Sequence, residues 1–249
     1  MSDILNAIKD GIFEEVKCII CKDPGKVHIK SFCGWTPLDW AIAWGKLEVA
    51  KFLWKEGGRP NLKIYCDGKN TPVHCAAQFG YETTLKWAFK EKVLSLDVFN
   101  IKDCGEWTPL DVAITAGKLE TAKFLFEMGG QPNLDIYHDG RWTPVHWAAL
   151  CGYTVTLKWV FAKSILPLCV LNIKDHIGRT PLDNAIAKGN LETATLLRRL
   201  IHLDPVFLAM QCVKRDYHHQ CVLRRLPDEL LDMVVDKVAA HFNLVVVWH

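Results

Sequence analysis

The sequence lacks a strong excess of charge of either sign. Its 249 residues carry 30 Lys and Arg against 28 Asp and Glu, so the formal net charge is only +2 at pH 7. A protein that binds the phosphates of nucleic acids or an anionic membrane surface normally presents a strong positive field. The near balance of charges therefore predicts no nucleic-acid partner.

Long apolar runs are also missing. The longest uninterrupted apolar stretch near the end of the chain is LVVVW, residues 244–248, whereas a membrane-spanning helix needs about 20 apolar residues. The first residues, MSDILNAIKDG, contain acidic side chains and no apolar run of the kind that a secretory signal carries. We therefore expect neither membrane insertion nor export.

Cysteines are present but lack the paired spacing of a disulfide or zinc framework. The 10 Cys are scattered along the chain, and without an export signal we expect them to be reduced thiols, mostly small core residues. This predicts a cytoplasmic location or another reducing compartment inside the cell. Cys18 and Cys21 have the two-residue gap of a zinc-ligand pair, but they fall in a helical pattern without a second pair. We expect no metal ion and no cofactor.

What the sequence does contain is a repeat. Thr-Pro pairs recur at residues 36–37, 71–72, 108–109, 143–144 and 180–181, so the spacings are 35, 37, 35 and 37 residues. Odd copies read TPLD and even copies read TPVH, which nests the basic unit in a block of 72 residues that runs from Thr36 to Thr108. A fixed period of this length indicates stacked supersecondary units, and duplication of a two-repeat block explains the alternation.

Each repeat carries the signals of two short helices. Thr is a good N-cap, and Pro at the first helical position has its φ already set. Small residues follow, and a Gly such as Gly45 ends the first helix where φ > 0 is needed. A second helix, for example Leu47–Lys55, carries apolar residues at helical spacing. The even repeats have longer apolar linkers, which predict longer second helices, and a polar stretch before each Thr-Pro predicts a hairpin-like finger.

These motifs resemble the ankyrin repeat family over about residues 2–202. The resemblance rests on the Thr-Pro-Leu/Val-Asp/His motif, the Ala pair, the Gly and the Asp-Gly turn before Thr-Pro. It implies an all-α solenoid of helix-turn-helix units with hairpin-like fingers in a domain spanning 1–203. Within that domain the resemblance implies a cap at 2–30 and repeats that start near 34, 69, 106, 141 and 178. No nucleophile–base pair, phosphate loop or metal-ligand spacing indicates an enzyme, so we expect a non-enzymatic scaffold for protein–protein interaction with no catalytic residue.

The family geometry implies that the fingers and first helices line a concave face that binds partners. Seven aromatic residues fall on positions of that face that are usually solvent-facing: Trp35, Trp40, Trp44, Phe79, Trp107, Trp142 and Trp147. Large exposed apolar patches mark interaction surfaces, and Trp is enriched at binding hot spots. We therefore predict a groove for an apolar or helical segment of another protein. The alternative is that the rings pack on one another and on the finger stems.

The residue two positions after each Pro alternates between His and Asp. In the family, a His at this position bonds to backbone between neighbouring repeats, which implies a structural role for His74 and His146. A catalytic base would also need a nucleophile or a substrate cleft nearby, and the sequence indicates neither. Asp39, Asp111 and Asp183 replace this His in the odd repeats, and we expect them to act as cap-like acceptors for the same backbone groups.

Residues 204–249 contain no Thr-Pro unit. Asp204-Pro205 and Asp228-Glu229 both begin helical patterns, which predicts a C-terminal extension of two amphipathic helices. LAMQC and LPDELLDMV resemble the elements that open and close a suppressor-of-cytokine-signalling box, and LPDELL also resembles the start of an F-box. This resemblance implies a substrate receptor that contacts elongin and cullin subunits of a ubiquitin ligase. The contact residues would be Leu208, Cys212, Leu226, Pro227 and Leu230.

Two other interpretations of this extension stay open. Its helices would cover the apolar end of the last repeat, as terminal units of repeat proteins do. Alternatively, Cys212, His218, His219 and Cys221 would bind a metal ion, although their spacing matches no standard site. The principal hypothesis is a protein-interaction module or assembly subunit, the alternative is a ligase substrate receptor, and an enzyme or metal-binding protein is the remote third.

Overall fold

The computed structural model describes residues 2–62, 70–134 and 142–201. Within these ranges the chain forms twelve α-helices and no strand, so the all-α prediction is confirmed. None of the described helices has the length and apolar character that crossing a bilayer requires. The chain forms two compact units, Met1–Ile136 and Tyr137–His249. The predicted boundary after residue 203 and the two-helix extension lie outside the described residues.

The first unit contains four helix pairs. They are α1 (Ser2–Asp10) with α2 (Phe13–Lys22), α3 (Pro37–Ala43) with α4 (Leu47–Lys55), α5 (Pro72–Phe79) with α6 (Glu82–Lys90), and α7 (Pro109–Thr115) with α8 (Leu119–Glu127). First helices pack on first helices of the neighbouring pair, and second helices pack on second helices. Short 3₁₀ helices follow α2 at Pro24–His28 and α6 at Leu96–Asn100. The unit is therefore a stack of helical hairpins, as predicted.

The described part of the second unit contains two further pairs. They are α9 (Pro144–Cys151) with α10 (Thr154–Ala162) and α11 (Pro181–Ala187) with α12 (Leu191–Ile201). A 3₁₀ helix, Leu168–Asn172, lies in the linker between them. Helix α9 packs on α11 and α10 packs on α12, which repeats the arrangement within the first unit.

The first helix of each Thr-Pro repeat begins at its Pro, as the motif predicts. In the first repeat the Thr36 hydroxyl oxygen accepts a hydrogen bond of 3.3 Å from the Asp39 N–H, and Asp39 Oδ2 accepts one of 2.8 Å from the Thr36 N–H. These reciprocal bonds form a capping box that satisfies two N–H groups at the helix start. Pro37 contributes a preset φ and no N–H that needs an acceptor.

The Gly that ends the first helix has two functions. Gly45 has a φ of 65°, the left-handed conformation in which a Cβ is unfavourable. The ring of Tyr81, from the next repeat, also lies against Gly45, and a Cβ there would be 2.3 Å from that ring. Gly80 and the Lys118 side chain have the same relationship, with a closest distance of 2.9 Å. The Gly therefore turns the chain and also leaves space for the next repeat.

The prediction that the second helices of even repeats are longer is wrong. Helices α4 and α6 both contain nine residues. Lys92, with a φ of 57°, turns the chain just after α6, and the linker then forms the 3₁₀ helix Leu96–Asn100, in which Val98 and Phe99 are buried. The apolar linker residues therefore enter the core instead of extending the helix.

The described fingers are tight hairpin turns, as predicted. In the finger before α7, the Asp103 N–H donates to the Trp107 carbonyl at 2.8 Å, and the Glu106 N–H donates to the Asp103 carbonyl at 3.0 Å. Asp103 Oδ1 accepts from the N–H groups of Gly105 and Trp107 at 2.8 and 2.9 Å, which closes the turn from inside. The fingers at 63–69 and 135–141 lie outside the described residues.

Candidate protein-interaction surface

Three of the predicted Trp side chains form one contiguous cluster in the first unit. The ring centroids of Trp35 and Trp40 lie 4.5 Å apart, and those of Trp40 and Trp44 lie 4.6 Å apart. Trp35 comes from the finger, whereas Trp40 and Trp44 are four residues apart on α3 and at its end, a spacing that places two side chains on one helix face. We call Trp35, Trp40 and Trp44 the Trp cluster.

Trp35 does not face solvent, so this part of the prediction is wrong. Its side chain is only 1% exposed, because the hairpin holds it inward: the Ser31 N–H donates to the Trp35 carbonyl at 2.8 Å, and the Trp35 N–H donates to Ser31 Oγ at 3.1 Å. Trp40 and Trp44 are half-buried. The Trp cluster thus packs ring on ring, as the alternative interpretation expects, while two of its members keep some exposed surface.

Phe79 extends the aromatic surface beyond the Trp cluster. It is 55% exposed, and its ring stacks on Tyr81 at 5.8 Å between centroids. Tyr81 in turn lies against Gly45, the residue that follows Trp44. Sequence reasoning missed Tyr81. The signal was its position directly after Gly80, because a side chain at this position contacts the preceding repeat. We call Trp40, Trp44, Phe79 and Tyr81 the aromatic face of the first unit.

The second unit has a separate aromatic pair. The ring centroids of Trp142 and Trp147 lie 4.7 Å apart, and Trp147 is 38% exposed whereas Trp142 is half-buried. Trp142 also lies 6.5 Å from the ring of His146 and 6.3 Å from that of His176. These contacts fix Trp142 between two repeats and leave Trp147 as the more accessible ring.

Two further aromatic residues belong to fingers. Trp107 is half-buried, and its main chain closes the finger before α7. Phe32, at the tip of the first finger, is 87% exposed. Sequence reasoning missed Phe32 because only the finger residue directly before each Thr was considered. An apolar ring in the turn of a hairpin is the signal that would have identified it.

The two buried His side chains make the predicted bonds between repeats. His74 Nε2 lies 2.9 Å from the Trp107 carbonyl, and its Nδ1 lies 2.7 Å from Thr71 Oγ1. A carbonyl oxygen only accepts, so Nε2 carries the hydrogen and Nδ1 accepts from the Thr71 hydroxyl. Burial lowers the pKa of His74, which favours this neutral form. His146 repeats the arrangement, with Nε2 3.2 Å from the Arg179 carbonyl.

The Asp side chains share the capping contact of the His side chains, as expected, but they do not make the bond to the next repeat. Asp39 Oδ2 accepts from the Thr36 N–H at 2.8 Å, as His146 Nδ1 accepts from the Thr143 N–H at 3.2 Å. Asp39 accepts from the Asn61 N–H and Asp111 accepts from the Asn133 N–H, both at 2.8 Å and both 22 residues ahead within one repeat. A carboxylate has no N–H to donate to a carbonyl, so it cannot replace the imidazole bond. Asp183 is exposed and accepts from the Thr180 N–H at 2.9 Å.

Asp111 has the most perturbed carboxyl group of this set. Burial raises its pKa to about 7, against the lowering effect of bonds from Asn133 and Thr108. Its Oδ2 accepts those bonds, whereas its buried Oδ1 has no partner among the described residues. The Thr108 hydroxyl lies 2.9 Å from Asp111 Oδ2 and 2.8 Å from the Gln131 carbonyl. It can therefore donate a hydrogen bond to the Gln131 carbonyl while it accepts one from the protonated Asp111 carboxyl.

The remaining candidate sites are those for a metal ion and for ligase subunits. Among the residues that the structure describes, no group of three or more His, Cys, Asp or Glu side chains is arranged to hold a metal ion. Cys18 and Cys21 are exposed thiols. The ligase-contact residues and the C-terminal Cys/His group lie outside the described ranges: Leu208, Cys212, His218, His219, Cys221, Leu226, Pro227 and Leu230.

Comparison with known proteins agrees with this geometry. The family model for ankyrin repeats in three copies matches residues 61–136, and the model for a single ankyrin repeat matches residues 33–64. A Caenorhabditis briggsae protein described as "Ankyrin repeat and KH domain-containing protein CBG24701" is 29% identical over 124 residues, which are 50% of this chain but only 4% of that protein. The chain therefore spans a small part of this relative.

A second relative matches over most of both chains. The Saccharomyces cerevisiae protein described as "Probable 26S proteasome regulatory subunit p28" is 29% identical over 193 residues, which cover 77% of this chain and 81% of the yeast protein. The Thr-Pro helix starts, the stacked helix pairs, the bonds of the buried His side chains and the two family matches lead to one conclusion: the chain contains ankyrin repeats, which the family models match over residues 33–136.

Proposed function

We propose that this chain is a protein-interaction module that binds partner proteins through its exposed aromatic side chains. The observation that carries the proposal is the exposure of Phe79, whose ring stands at the end of a first helix with more than half of its surface accessible. An aromatic ring held rigidly at a surface has apolar area left to bury, and such residues dominate binding energies at interfaces.

The roles of the aromatic residues differ with their burial. In the first unit, Trp40, Trp44 and Phe79 are the contact residues, and Trp35 supports Trp40 from beneath. In the second unit, Trp147 is the contact residue, and Trp142 supports it. Trp107 contributes the half-buried surface of its finger. Each unit is proposed to offer its own aromatic surface.

The polar interior supports a scaffold rather than an enzyme. His74, His146 and Asp39 each bond to backbone groups that hold helices and fingers in place. A general base or nucleophile needs access to a substrate, and these side chains are buried with their polar atoms already engaged. The proposed activity is therefore binding alone.

Alanine substitution in the full-length chain tests the proposal. Partners are first captured from a cell lysate by the unchanged protein and identified, and the affinity of one purified partner is then measured by calorimetry. Phe79→Ala and Trp147→Ala are compared with Leu96→Ala and Leu191→Ala, which remove exposed apolar side chains elsewhere. Loss of a binding hot spot weakens affinity by roughly thirtyfold or more, whereas the Leu variants should bind normally. Unchanged affinity of both aromatic variants would contradict the proposal.

A narrower candidate is a subunit of a large cytoplasmic assembly. The similarity over most of both chains to a yeast protein described as a probable proteasome regulatory subunit favours it. Cys33, Cys75 and Cys104 form no disulfide with any described residue, and disulfides are rare in a reducing compartment. Gradient sedimentation of a cell extract tests this candidate, since the chain should sediment with particles much larger than 28.3 kDa. Sedimentation only as a free chain would contradict it.

The ligase-receptor alternative gains no support. The family matches fall within residues 33–136, and the residues that would contact elongin and cullin subunits lie outside the described ranges. We therefore do not extend the proposal to a ubiquitin ligase.

A further inference from the structure

We propose that the aromatic face of the first unit recognises an acidic segment of another protein, in which apolar side chains are flanked by Asp or Glu. The inference deepens the proposed function and rests on it, because it assigns a chemistry to the partner of that face. It is carried by two Lys side chains that lie on either side of the aromatic rings.

Lys46, Tyr81 and Lys118 hold equivalent positions in three successive repeats. Each of the three residues follows the Gly that ends a first helix. Because repeats stack in register, their side chains come in the order Lys46, Tyr81, Lys118 along one edge of the first unit. Neighbouring helices pack roughly 8–10 Å apart, so one cation lies about one helix spacing from the ring on each side.

The stems of both Lys side chains are held against glycines of the preceding repeat. A Cβ at Gly11 would lie 3.1 Å from Lys46 Nζ and 3.3 Å from its Cδ, and a Cβ at Gly80 would lie 2.9 Å from Lys118 Cδ. A stem that lies along the surface of a neighbouring repeat has less freedom than one in open solvent. The two cations therefore lose less conformational entropy than free Lys side chains when they bind a carboxylate.

The carboxylates in the first turns of the nearby second helices are already engaged. Glu48 pairs with Lys51 at 2.7 Å and Glu120 pairs with Lys123 at 2.6 Å, in each case within one helix. Glu82 pairs with Lys86 in the same way. Within the described ranges, no carboxylate lies at ion-pair distance from Lys46 or Lys118. Among the described residues, the two cations on this edge thus have no carboxylate partner.

Apolar area and unpaired positive charge therefore meet at one surface. Phe79 is adjacent to Gly80, on which Lys118 lies, and Trp44 is two residues from Lys46. A segment that places an apolar side chain on Phe79 and Trp44 brings its flanking residues to the two Lys side chains. Asp or Glu at the flanks would form ion pairs, and Lys or Arg there would be repelled.

Peptide binding to the full-length chain tests this assignment. Three fluorescent peptides of about ten residues share a central Leu-Phe-Leu and carry Glu, Gln or Lys at the flanking positions. By anisotropy at low salt, the Glu peptide should bind roughly tenfold tighter than the Gln peptide, and the Lys peptide should bind most weakly. The advantage of the Glu peptide should disappear near 0.5 M salt, where charge is screened over a few ångströms.

Charge reversal locates the effect. Lys46→Glu with Lys118→Glu should remove the preference for the Glu peptide. Lys55→Glu with Lys90→Glu makes the same charge change at the far ends of two second helices and should preserve the preference. Phe79→Ala should weaken the Glu and Gln peptides equally, because it removes the shared apolar contact. Circular dichroism of each variant confirms that the fold is retained.

Several outcomes would overturn the assignment. Equal affinity for the Glu and Gln peptides, both weakened by Phe79→Ala, would leave the proposed function intact and reject the acidic partner. A dimer in light scattering that Lys46→Glu with Lys118→Glu dissociates would show that a second copy occupies the face. If none of the three peptides binds, the assignment is also rejected. This outcome would include occupation of the face by the acidic segment 226–236 of the same chain.

Discussion

The Nε2 atom of His74 donates a hydrogen bond of 2.9 Å to the backbone carbonyl of Trp107, 33 residues further along the chain. The bond joins the start of one first helix to the finger of the next repeat. It requires a neutral imidazole with its hydrogen on Nε2, because Nδ1 accepts from Thr71. The stability of the repeat pair therefore depends on this single tautomer.

Replacement of His74 by Ala should lower the free energy of unfolding by about 1–3 kcal/mol, the range expected when a buried carbonyl loses its donor. Urea unfolding of the full-length chain measures the effect. His28→Ala is the control, since His28 is exposed and its replacement should change the stability by less than about 0.5 kcal/mol. Equal stability of the two variants would show that the His74 bond contributes nothing.

The His74 contribution should also depend on pH. Burial lowers the folded-state pKa below the ordinary value of 6.5, so the unfolded chain takes up a proton first as the pH falls. The stabilisation is fully present above pH 6.5 and is lost as the pH decreases through the folded-state pKa. The difference between the unchanged protein and His74→Ala should therefore shrink in acid. A difference that is constant from pH 8 to pH 5 would contradict this.

Asp111→Asn should show a pH dependence of the opposite sign. Burial raises the pKa of Asp111 to about 7, so its stabilising contribution is present below the unfolded-state pKa near 4 and is lost as the pH rises to 7. The Asn variant does not titrate, and its stability relative to the unchanged protein should rise from pH 4 to 7 and then level off. Unfolding midpoints across this range measure the change.

Asp183→Asn is the matched control for that experiment. Bonds from the Thr180 backbone and hydroxyl lower the pKa of Asp183, so its contribution is present above the unfolded-state pKa and is lost as the pH falls through the folded value. The relative stability of this variant should therefore vary mainly below pH 4. If both variants followed one pH profile, the raised pKa of Asp111 would be disproved.

Gly45→Ala should be more harmful than Gly57→Ala. Both residues have positive φ, of 65° and 89°, so Ala at either place costs about 1–2 kcal/mol in backbone strain. A Cβ at Gly45 would also lie 2.3 Å from the Tyr81 ring, whereas a Cβ at Gly57 meets no atom within 4 Å. Displacement of the ring should add about 1–3 kcal/mol. Equal thermal midpoints for the two variants would refute the close approach.

The Trp cluster should respond unevenly to substitution. Trp35→Ala empties a fully buried site and should cost about 3–5 kcal/mol. Trp40→Phe should lower the free energy of unfolding far less. The buried Trp40 Nε1–H has no acceptor among the described residues, so the substitution removes a donor that makes no hydrogen bond. Chemical denaturation compares the two variants. A Trp40→Phe variant as unstable as Trp35→Ala would indicate that Nε1 has a partner.

Local signals predicted the helices well. Thr, Pro and Gly act through their own backbone and side chain, so the starts at Pro37 and the end at Gly45 follow from the residues themselves. The predicted second helix Leu47–Lys55 agrees with the structure residue for residue. The alternation of His and Asp predicted hydrogen bonds from these side chains. His74 and His146 bond to backbone of the next repeat, as the family resemblance implies.

Contacts between residues that are far apart in the sequence could not be predicted from these local signals. The burial of Trp35 depends on the hairpin that turns its ring inward, and the place of Tyr81 depends on a missing Cβ in another repeat. The Asp39 bond to Asn61 needs a backbone N–H that only the folded loop brings near. The linker at Leu96–Asn100 was predicted to extend a helix because its apolar residues fit either a helix or a buried turn.

The bonds of the buried His side chains also join the repeats in pairs. His74 ties the second Thr-Pro repeat to the third and His146 ties the fourth to the fifth, whereas Asp39 and Asp111 bond within their own repeats. Segments 70–134 and 142–201 would each lose amide protection as one cooperative block in hydrogen exchange. The doubled motif of the sequence would then correspond to the size of the block that opens cooperatively.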